Sequence, residues 1–189
     1  MDAITLLRDD HKAVEQLFKK FEKAGPGAHK LRLDLVDKMI EELSVHATIE
    51  EQLFYPTIRA NVEGAEDVTL ESLEEHHVVK WVLSELVGMG PEDERFKAKV
   101  TVMIENVRHH VEEEEGEMFP QVREAMGRKK LQELGQQMAT AKATAPTRPH
   151  PRAPDTPPGN VAAGAAASVV DKTRDAAKKA VKRTRKKAT

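Results

Sequence analysis

The sequence lacks cysteine entirely, has only one tryptophan and one tyrosine, and contains no long apolar run. Without cysteine the chain cannot form disulfides, a thiolate zinc site or a cysteine-ligated iron–sulfur cluster. No apolar stretch approaches the ~18–20 residues that span a bilayer. The first residues also lack the basic-then-apolar order of a secretory signal. We therefore expect a cytoplasmic protein with one domain and an extension.

Charge is distributed unevenly along the chain, although the formal net charge is only −2. Residues 1–142 contain 19 basic and 29 acidic residues, whereas residues 143–189 contain 11 basic and three acidic residues. Proline is dense over 143–160, and such a stretch favours extended, solvated backbone over a packed helix. The sequence predicts an acidic domain, a proline-rich linker over 143–160 and a Lys/Ala-rich basic tail over 161–189.

Apolar residues recur at steps of three and four through four segments of the acidic region, which is typical of amphipathic helices. Breaks at 25–27, Gly64 and 88–91 separate the segments. Gly127 is predicted to end the fourth helix as a C′ glycine, with a short helical extension over 128–142. We expect an all-α fold: an antiparallel up-down four-helix bundle followed by a disordered or partly helical basic tail.

The apolar stripes of these helices contain residues that do not suit an ordinary core. Burying a carboxylate or an imidazole without partners costs several kcal/mol. Iron, manganese and zinc accept both imidazole nitrogen and carboxylate oxygen as ligands, so two neighbouring ions bridged by the carboxylates would satisfy every group. The residues concerned are His11, His46, Glu50, His76, His110 and Glu114.

These residues also form an internal repeat. Each half of the acidic region offers an acid followed by His, and then, 35 or 34 residues later, His-x3-Glu and an aromatic–proline pair. The repeat predicts a pseudo-two-fold arrangement with one metal ion per half and both glutamates shared. The repeat also shows which of two neighbouring histidines is the predicted ligand. His76 and His110 match the first half. His77 and His109 do not, and a rotation of ~100° per residue places them on another face of the helix.

The doubled pattern resembles the haemerythrin-like, or HHE cation-binding, domain family over roughly residues 1–127. The resemblance implies a non-haem di-iron centre, with manganese or zinc as alternatives to iron, and an oxo or hydroxo bridge between the ions. It places the metal ligands, residue by residue, at the positions His11, His46, Glu50, His76, His110 and Glu114.

The oxygen-carrying haemerythrins are less similar to this chain. Lys80 stands where they have a second histidine on the third helix, and Glu114 follows His110 by four residues where they have an aspartate at five. The pattern is nearer to the broader bacterial branch, whose members are linked to iron, oxygen, nitric oxide or peroxide handling.

The resemblance implies a centre that reacts with or senses oxygen, hydrogen peroxide or nitric oxide. Catalase-like peroxide decomposition is one such activity, and the sequence does not decide whether the protein is an enzyme. The alternative is an iron- or oxygen-responsive binding module that contacts DNA or another acidic partner through its tail. Nine Lys/Arg residues over 172–187 can neutralise phosphates without base specificity.

For five residues near the predicted ligands, the sequence is compatible with two interpretations. Glu51 and Glu115 belong either to a solvated helix surface or to the surroundings of the metals. Tyr55 and Phe119 are either packing residues at the bundle end or redox partners. Lys80 either faces solvent or lies near the metals.

Overall fold

Short local signals set where the helices begin and end. Asp2 caps the first helix by accepting a hydrogen bond from the Thr5 amide at 2.9 Å. Pro56 and Pro120 lie in the first turns of their helices, where a missing amide hydrogen costs nothing. Gly64 and Gly88 adopt positive φ angles of 75° and 87° in the turns, a conformation that glycine reaches without strain.

The structure is a computed structural model that describes the backbone of residues 1–187 and the side chains of residues 1–177. Two five-residue π-helical segments, at Glu50–Phe54 and Glu114–Met118, interrupt the α-helices. No β-strand occurs in residues 1–187, and no helix of the described residues is long and apolar enough to cross a membrane. The α-helices are α1 (Ala3–Lys23), α2 (His29–Ile49), α3 (Tyr55–Asn61), α4 (Glu66–Leu86), α5 (Phe96–Glu113), α6 (Phe119–Lys142) and α7 (Gly159–Lys187).

Two apolar clusters fill the interior, one on each side of a polar layer. This layer is formed by the six side chains that the sequence predicts as metal ligands. One cluster includes Ile4, Phe54 and Phe119. The other includes Phe18 and Met39. On α1, α2 and α4 the predicted metal-site histidine lies between a residue of one cluster and a residue of the other. On α5, His110 follows Val107 of one cluster, and Met118 of the other cluster comes in the π-helical segment after the helix, so apolar packing encloses the polar layer on both sides.

The all-α prediction is confirmed, but the arrangement differs from four helices followed by a tail. A fifth long helix, α6, has 24 residues and packs against α1. Gly127 has φ 69° and ψ 170°, so it breaks the helical path at the predicted position, yet the chain resumes a helix directly after it. The apolar residues Leu131, Leu134 and Met138 are buried in the core, which explains why the segment after Gly127 is an integral helix.

The linker and the tail also differ from the solvated segments that the sequence predicts. Asp171 of α7 is fully buried and accepts hydrogen bonds from the backbone amides of Thr147 and Arg148. Its carboxylate also lies 3.1 Å from Nε2 of His150. The linker therefore folds back onto a helical tail. The basic side chains from residue 178 onward, which belong to the predicted nucleic-acid contact, lie outside the described side chains.

Candidate metal centre

The structure brings all six predicted metal ligands together in the polar layer. Each is buried, and Glu50 is completely inaccessible to solvent. They form two groups, and within each group the potential ligand atoms all lie within 4.8 Å of one another. Glu50 belongs to both groups, as a bridging carboxylate would. The first group is His11, His46, Glu50 and Glu114, and the second is Glu50, His76 and His110.

The histidines face each other in pairs through their Nε2 atoms. The Nε2 atoms of His11 and His46 are 3.2 Å apart, and those of His76 and His110 are also 3.2 Å apart. Each pair joins the two long helices of one half of the repeat. This is the one-site-per-half arrangement that the repeat predicts.

The two glutamates lie between the histidine pairs. Oε2 of Glu50 is 3.1 Å from Nε2 of His46 and 3.4 Å from Nε2 of His76. Oε2 of Glu114 is 3.4 Å from Nε2 of His11 and 3.7 Å from Nε2 of His110. Each carboxylate therefore contacts one histidine from each half.

A carboxylate faces the other ring nitrogen, Nδ1, of every histidine. Such a carboxylate keeps the proton on Nδ1 and turns the lone pair of Nε2 towards the centre, which is how outer residues orient metal-ligating histidines. Three of these contacts are within hydrogen-bond distance: 2.9 Å for His11–Glu115, 3.1 Å for His76–Glu51 and 2.7 Å for His110–Glu75. Nδ1 of His46 lies 3.6 Å from the Asp10 carboxylate, which is too long for a hydrogen bond.

For Glu51 and Glu115 the sequence predicts either a solvated helix surface or the surroundings of the metals, and it assigns no role to Asp10 and Glu75. Asp10 and Glu75 directly precede the first histidine of each half, and Glu51 and Glu115 directly follow Glu50 and Glu114. The signal that could have identified them is that they occur at matching steps in both halves. The structure places Glu51 and Glu115 around the centre rather than on a free surface.

The π-helical segments explain how neighbouring glutamates can both face the interior. Glu50 and Glu114 each begin one of these segments, so the regular rotation of 100° per residue does not apply from there on. Widened turns of this kind are frequent at functional sites. A periodicity of 3.6 residues could not predict them.

The residues fit a pair of metal ions. Both carboxylate oxygens of Glu50 and Oε2 of Glu114 are buried without a hydrogen-bond partner. With protons held on Nδ1, each facing pair of Nε2 atoms also brings two lone pairs together. A cation between these atoms would satisfy nitrogen and oxygen at once, since imidazole and carboxylate are a donor set suited to iron, manganese or zinc.

Burial and the neighbouring charges shift several pKa values in this layer. Burial raises the pKa of Glu50, and the facing carboxylates of Glu114 and Asp10 raise it further. Burial lowers the pKa of His46 to about 4 and also lowers that of His76. These two imidazoles are therefore neutral at pH 7, which is the form that binds a metal ion.

The two halves differ at the aromatic residue that follows each shared glutamate by five positions. The buried hydroxyl of Tyr55 donates to Oε1 of Glu114 at 3.0 Å and lies 3.3 Å from Nε2 of His76. At the equivalent position of the other half, Phe119 stacks on the ring of His11 with centroids 5.9 Å apart. Tyr55 thus has a polar contact with the centre, whereas Phe119 contributes an apolar surface.

Lys80 lies near the centre rather than in solvent. It is buried, and its Nζ donates to both carboxylate oxygens of Glu51 at 2.8 and 3.0 Å. Because Glu51 also holds Nδ1 of His76, Lys80 neutralises an acid that orients a predicted ligand. Of the two positions that the sequence predicts for Lys80, in solvent or near the metals, the structure has the second.

The neighbouring histidines lie apart from the two buried groups, as the repeat predicts. His77 accepts a hydrogen bond from the Trp81 indole at 2.9 Å on the exposed surface. His109 is exposed and forms a separate, more accessible group with Glu75 and Glu113.

Fold and site together define an all-α protein with buried His/Glu clusters that could hold metal ions. Residues 2–122 match the family model described as Hemerythrin HHE cation binding domain. Because that match covers more than half of the chain, the protein belongs to this haemerythrin-like family, as its sequence pattern predicts.

Individual relatives agree with this assignment. A crystal structure of a Hemerythrin HHE cation binding domain-containing protein from Mycobacterium kansasii superposes with a TM-score of 0.65 and 26% identity, covering 76% of this chain and 86% of that one. An uncharacterized hemerythrin-like protein of Schizosaccharomyces pombe is 25% identical, covering 88% of this chain and 81% of the relative.

A further relative carries a different name. A protein of Nostoc sp. named DNA nickase is 25% identical over 142 residues, which is 75% of this chain. The match spans only 39% of the length of that protein.

Proposed function

We propose that the chain holds two non-haem iron ions and that the pair reacts with oxygen or with hydrogen peroxide, in the second case as a catalase-like enzyme. The observation that supports this proposal is the pair of facing Nε2 contacts, with Glu50 and Glu114 between them. His11 and His46 would hold one ion, His76 and His110 the other. We expect the protein to act in the cytoplasm.

The ligand set leaves room for a small molecule at the metals. If each glutamate contributes one oxygen to each ion, every ion has two nitrogen and two oxygen donors from the protein. Iron prefers more ligands than four, so an exogenous oxygen, peroxide or nitric oxide can bind. Bound iron would supply the redox chemistry.

The surrounding residues keep the site oriented and dry. Glu51, Glu75 and Glu115 each hydrogen-bond one imidazole and so fix its orientation. The hydroxyl of Tyr55 donates to one oxygen of Glu114. The apolar clusters on both sides of the layer limit access of bulk water. These are the conditions in which buried charges interact strongly with a small bound molecule.

Adjacent histidines provide a matched test of this function. We expect the iron-loaded full-length chain to decompose hydrogen peroxide. His76→Ala should lower turnover by about 100-fold or more, because a ligand is lost, whereas His77→Ala should retain the wild-type rate. The measurement is oxygen release, with iron content and the optical spectrum of anaerobic and oxidised samples recorded alongside. Turnover no faster than that of free iron, or equal losses in both variants, would contradict the proposal.

A second candidate function is a metal-responsive module that acts through the tail. The buried amide of Asn160, in the first turn of α7, donates to the backbone carbonyl of Glu51 at 3.0 Å. The side chain of Glu51 holds His76. A change at the metals can therefore reach the tail through a single residue. Lys142, at the end of α6, makes a similar link by pairing with Asp10.

Limited proteolysis can test this coupling. We expect the segment after Lys142 to be cleaved at least several-fold more slowly in metal-loaded than in metal-free protein, because occupied metals fix the π-helical segment that Asn160 contacts. Asn160→Ala should remove the difference. Asn106→Ala, which alters a surface amide bonded only within α5, should preserve it.

Duplex DNA of arbitrary sequence is the partner to add, because the tail is basic and one relative is named a DNA nickase. Binding should weaken steeply as salt rises, and deleting residues 143–189 should abolish it without changing the metal spectrum. Identical cleavage and identical DNA binding with and without metal would rule out this second function.

A further inference from the structure

A cavity of about 500 Å³ lies inside the bundle, next to the polar layer. Its floor is formed by the four histidines of the candidate metal centre. Its walls are apolar and come from both halves of the repeat in matching positions. The wall pairs are Val14 and Val79, Phe18 and Leu83, Leu43 and Val107, and Ala47 and Val111.

The rim of the cavity is polar and lies along the seam between α1 and α5. Arg108 of α5 crosses this seam, with Nε 3.0 Å from Oε2 of Glu15 and Nη1 2.7 Å from Oε1 of Glu22. Elsewhere α1 packs against α2, and α5 packs against α4. At the cavity rim the seam is held by the ion pairs of Arg108, and further along it Phe21 of α1 packs against Phe96 of α5 with ring centroids 6.2 Å apart.

The ionised side chains deeper in the cavity are already paired. Lys80 binds Glu51, Asp10 binds Lys142, and the carboxylate of Glu115 contacts His11 and lies 3.4 Å from Arg8. A charged ligand would have to compete with these pairs, and separating the buried Lys80–Glu51 pair would leave a buried, unpaired charge, which is costly. The cavity therefore suits a neutral molecule.

The volume indicates the size of that molecule. Small-molecule sites in proteins usually measure ~300–1,000 Å³, and an apolar cavity of ~150 Å³ can bind benzene. The space of about 500 Å³ is far larger than oxygen or peroxide needs. We propose that this cavity is a binding site for a neutral, apolar organic molecule of the size of a bicyclic aromatic, held against the four imidazoles.

This site goes beyond the proposed reaction with oxygen or peroxide, because its walls do not depend on a metal. Its occupant would share a surface with the metal centre, since the same imidazoles form its floor. Naphthalene binding can therefore be absent while metal binding is observed, and metal binding can be absent while naphthalene binds.

Naphthalene is a suitable probe for the full-length protein. We expect saturable binding of one molecule per chain, measured by equilibrium dialysis and by a rise in Tm. Val107→Phe fills the wall from α5 and should weaken binding at least tenfold. Val102→Phe adds the same side chain on the exposed face of the same helix, where the valine is 47% accessible, and should leave binding unchanged.

A second filling variant guards against misfolding of the first. Val79→Phe enters the wall from α4, and a folded protein with this change should also bind naphthalene at least tenfold more weakly. Absence of saturable binding to the wild-type chain would overturn the proposal. So would equal affinities for the wild type and a correctly folded filling variant, or an equal loss in Val102→Phe.

Discussion

Replacing Glu50 with methionine is expected to lower the affinity for metal by about 100-fold or more and, in the same protein, to stabilise the metal-free fold. The affinity falls because Glu50 is the carboxylate shared by both candidate groups. The metal-free fold gains stability because both oxygens of Glu50 are buried without a hydrogen-bond partner, close to other carboxylates. A buried polar group without a hydrogen-bond partner carries a desolvation cost of about 1–3 kcal/mol, which an apolar side chain of similar volume avoids.

Metal content and denaturant unfolding of the chelator-treated protein would check both effects. Glu112→Met is the matched control, because Glu112 lies in the same acidic run as Glu114 but on the exposed face of α5. That variant should retain its metal and have an unchanged free energy of unfolding. If Glu50→Met kept its metal affinity, or if its metal-free form were less stable than wild type, the assignment of Glu50 would be wrong.

Gly135→Ala is expected to lower the free energy of unfolding by about 2–3 kcal/mol, although alanine normally favours a helix. Gly135 lies in α6 against the N-terminus of the chain. A Cβ atom at this position would be 2.7 Å from the Ala3 nitrogen, the Asp2 carbonyl carbon and the Met1 carbonyl oxygen. These are backbone atoms, so the overlap can be relieved only if α6 and the start of α1 move apart.

Gly116→Ala provides the contrast in the same chain. Gly116 lies in the second π-helical segment, and a Cβ atom there has nothing within 4 Å. The substitution should raise the free energy of unfolding by about 0.5–1 kcal/mol, as expected for glycine to alanine in an open helical position. Urea unfolding of both variants measures the difference. Similar effects from the two substitutions would show that α6 does not pack closely against the N-terminus.

Part of the fold could be predicted because helical periodicity is local. The apolar steps of three and four identify the long helices of the repeat, and Gly64 and Gly88 lie in the turns between them. The sequence predicts only a short extension after Gly127, because the packing of this helix against α1 is not recorded in any local pattern. The sequence predicts a solvated linker, because proline content does not reveal that Asp171 accepts hydrogen bonds from the linker backbone.

The sequence by itself determined which six side chains belong together, because a repeat of His and His-x3-Glu at core positions has a period that can be counted. Tertiary structure alone decided how they are supported. Four carboxylates each face Nδ1 of a histidine that lies on another helix, and they belong to Asp10, Glu51, Glu75 and Glu115. It also decided that Tyr55 contacts the centre and that α7 contacts Glu51. Periodicity gives the face of one helix, whereas these contacts depend on how helices are placed against each other and on π-helical segments that change the rotation.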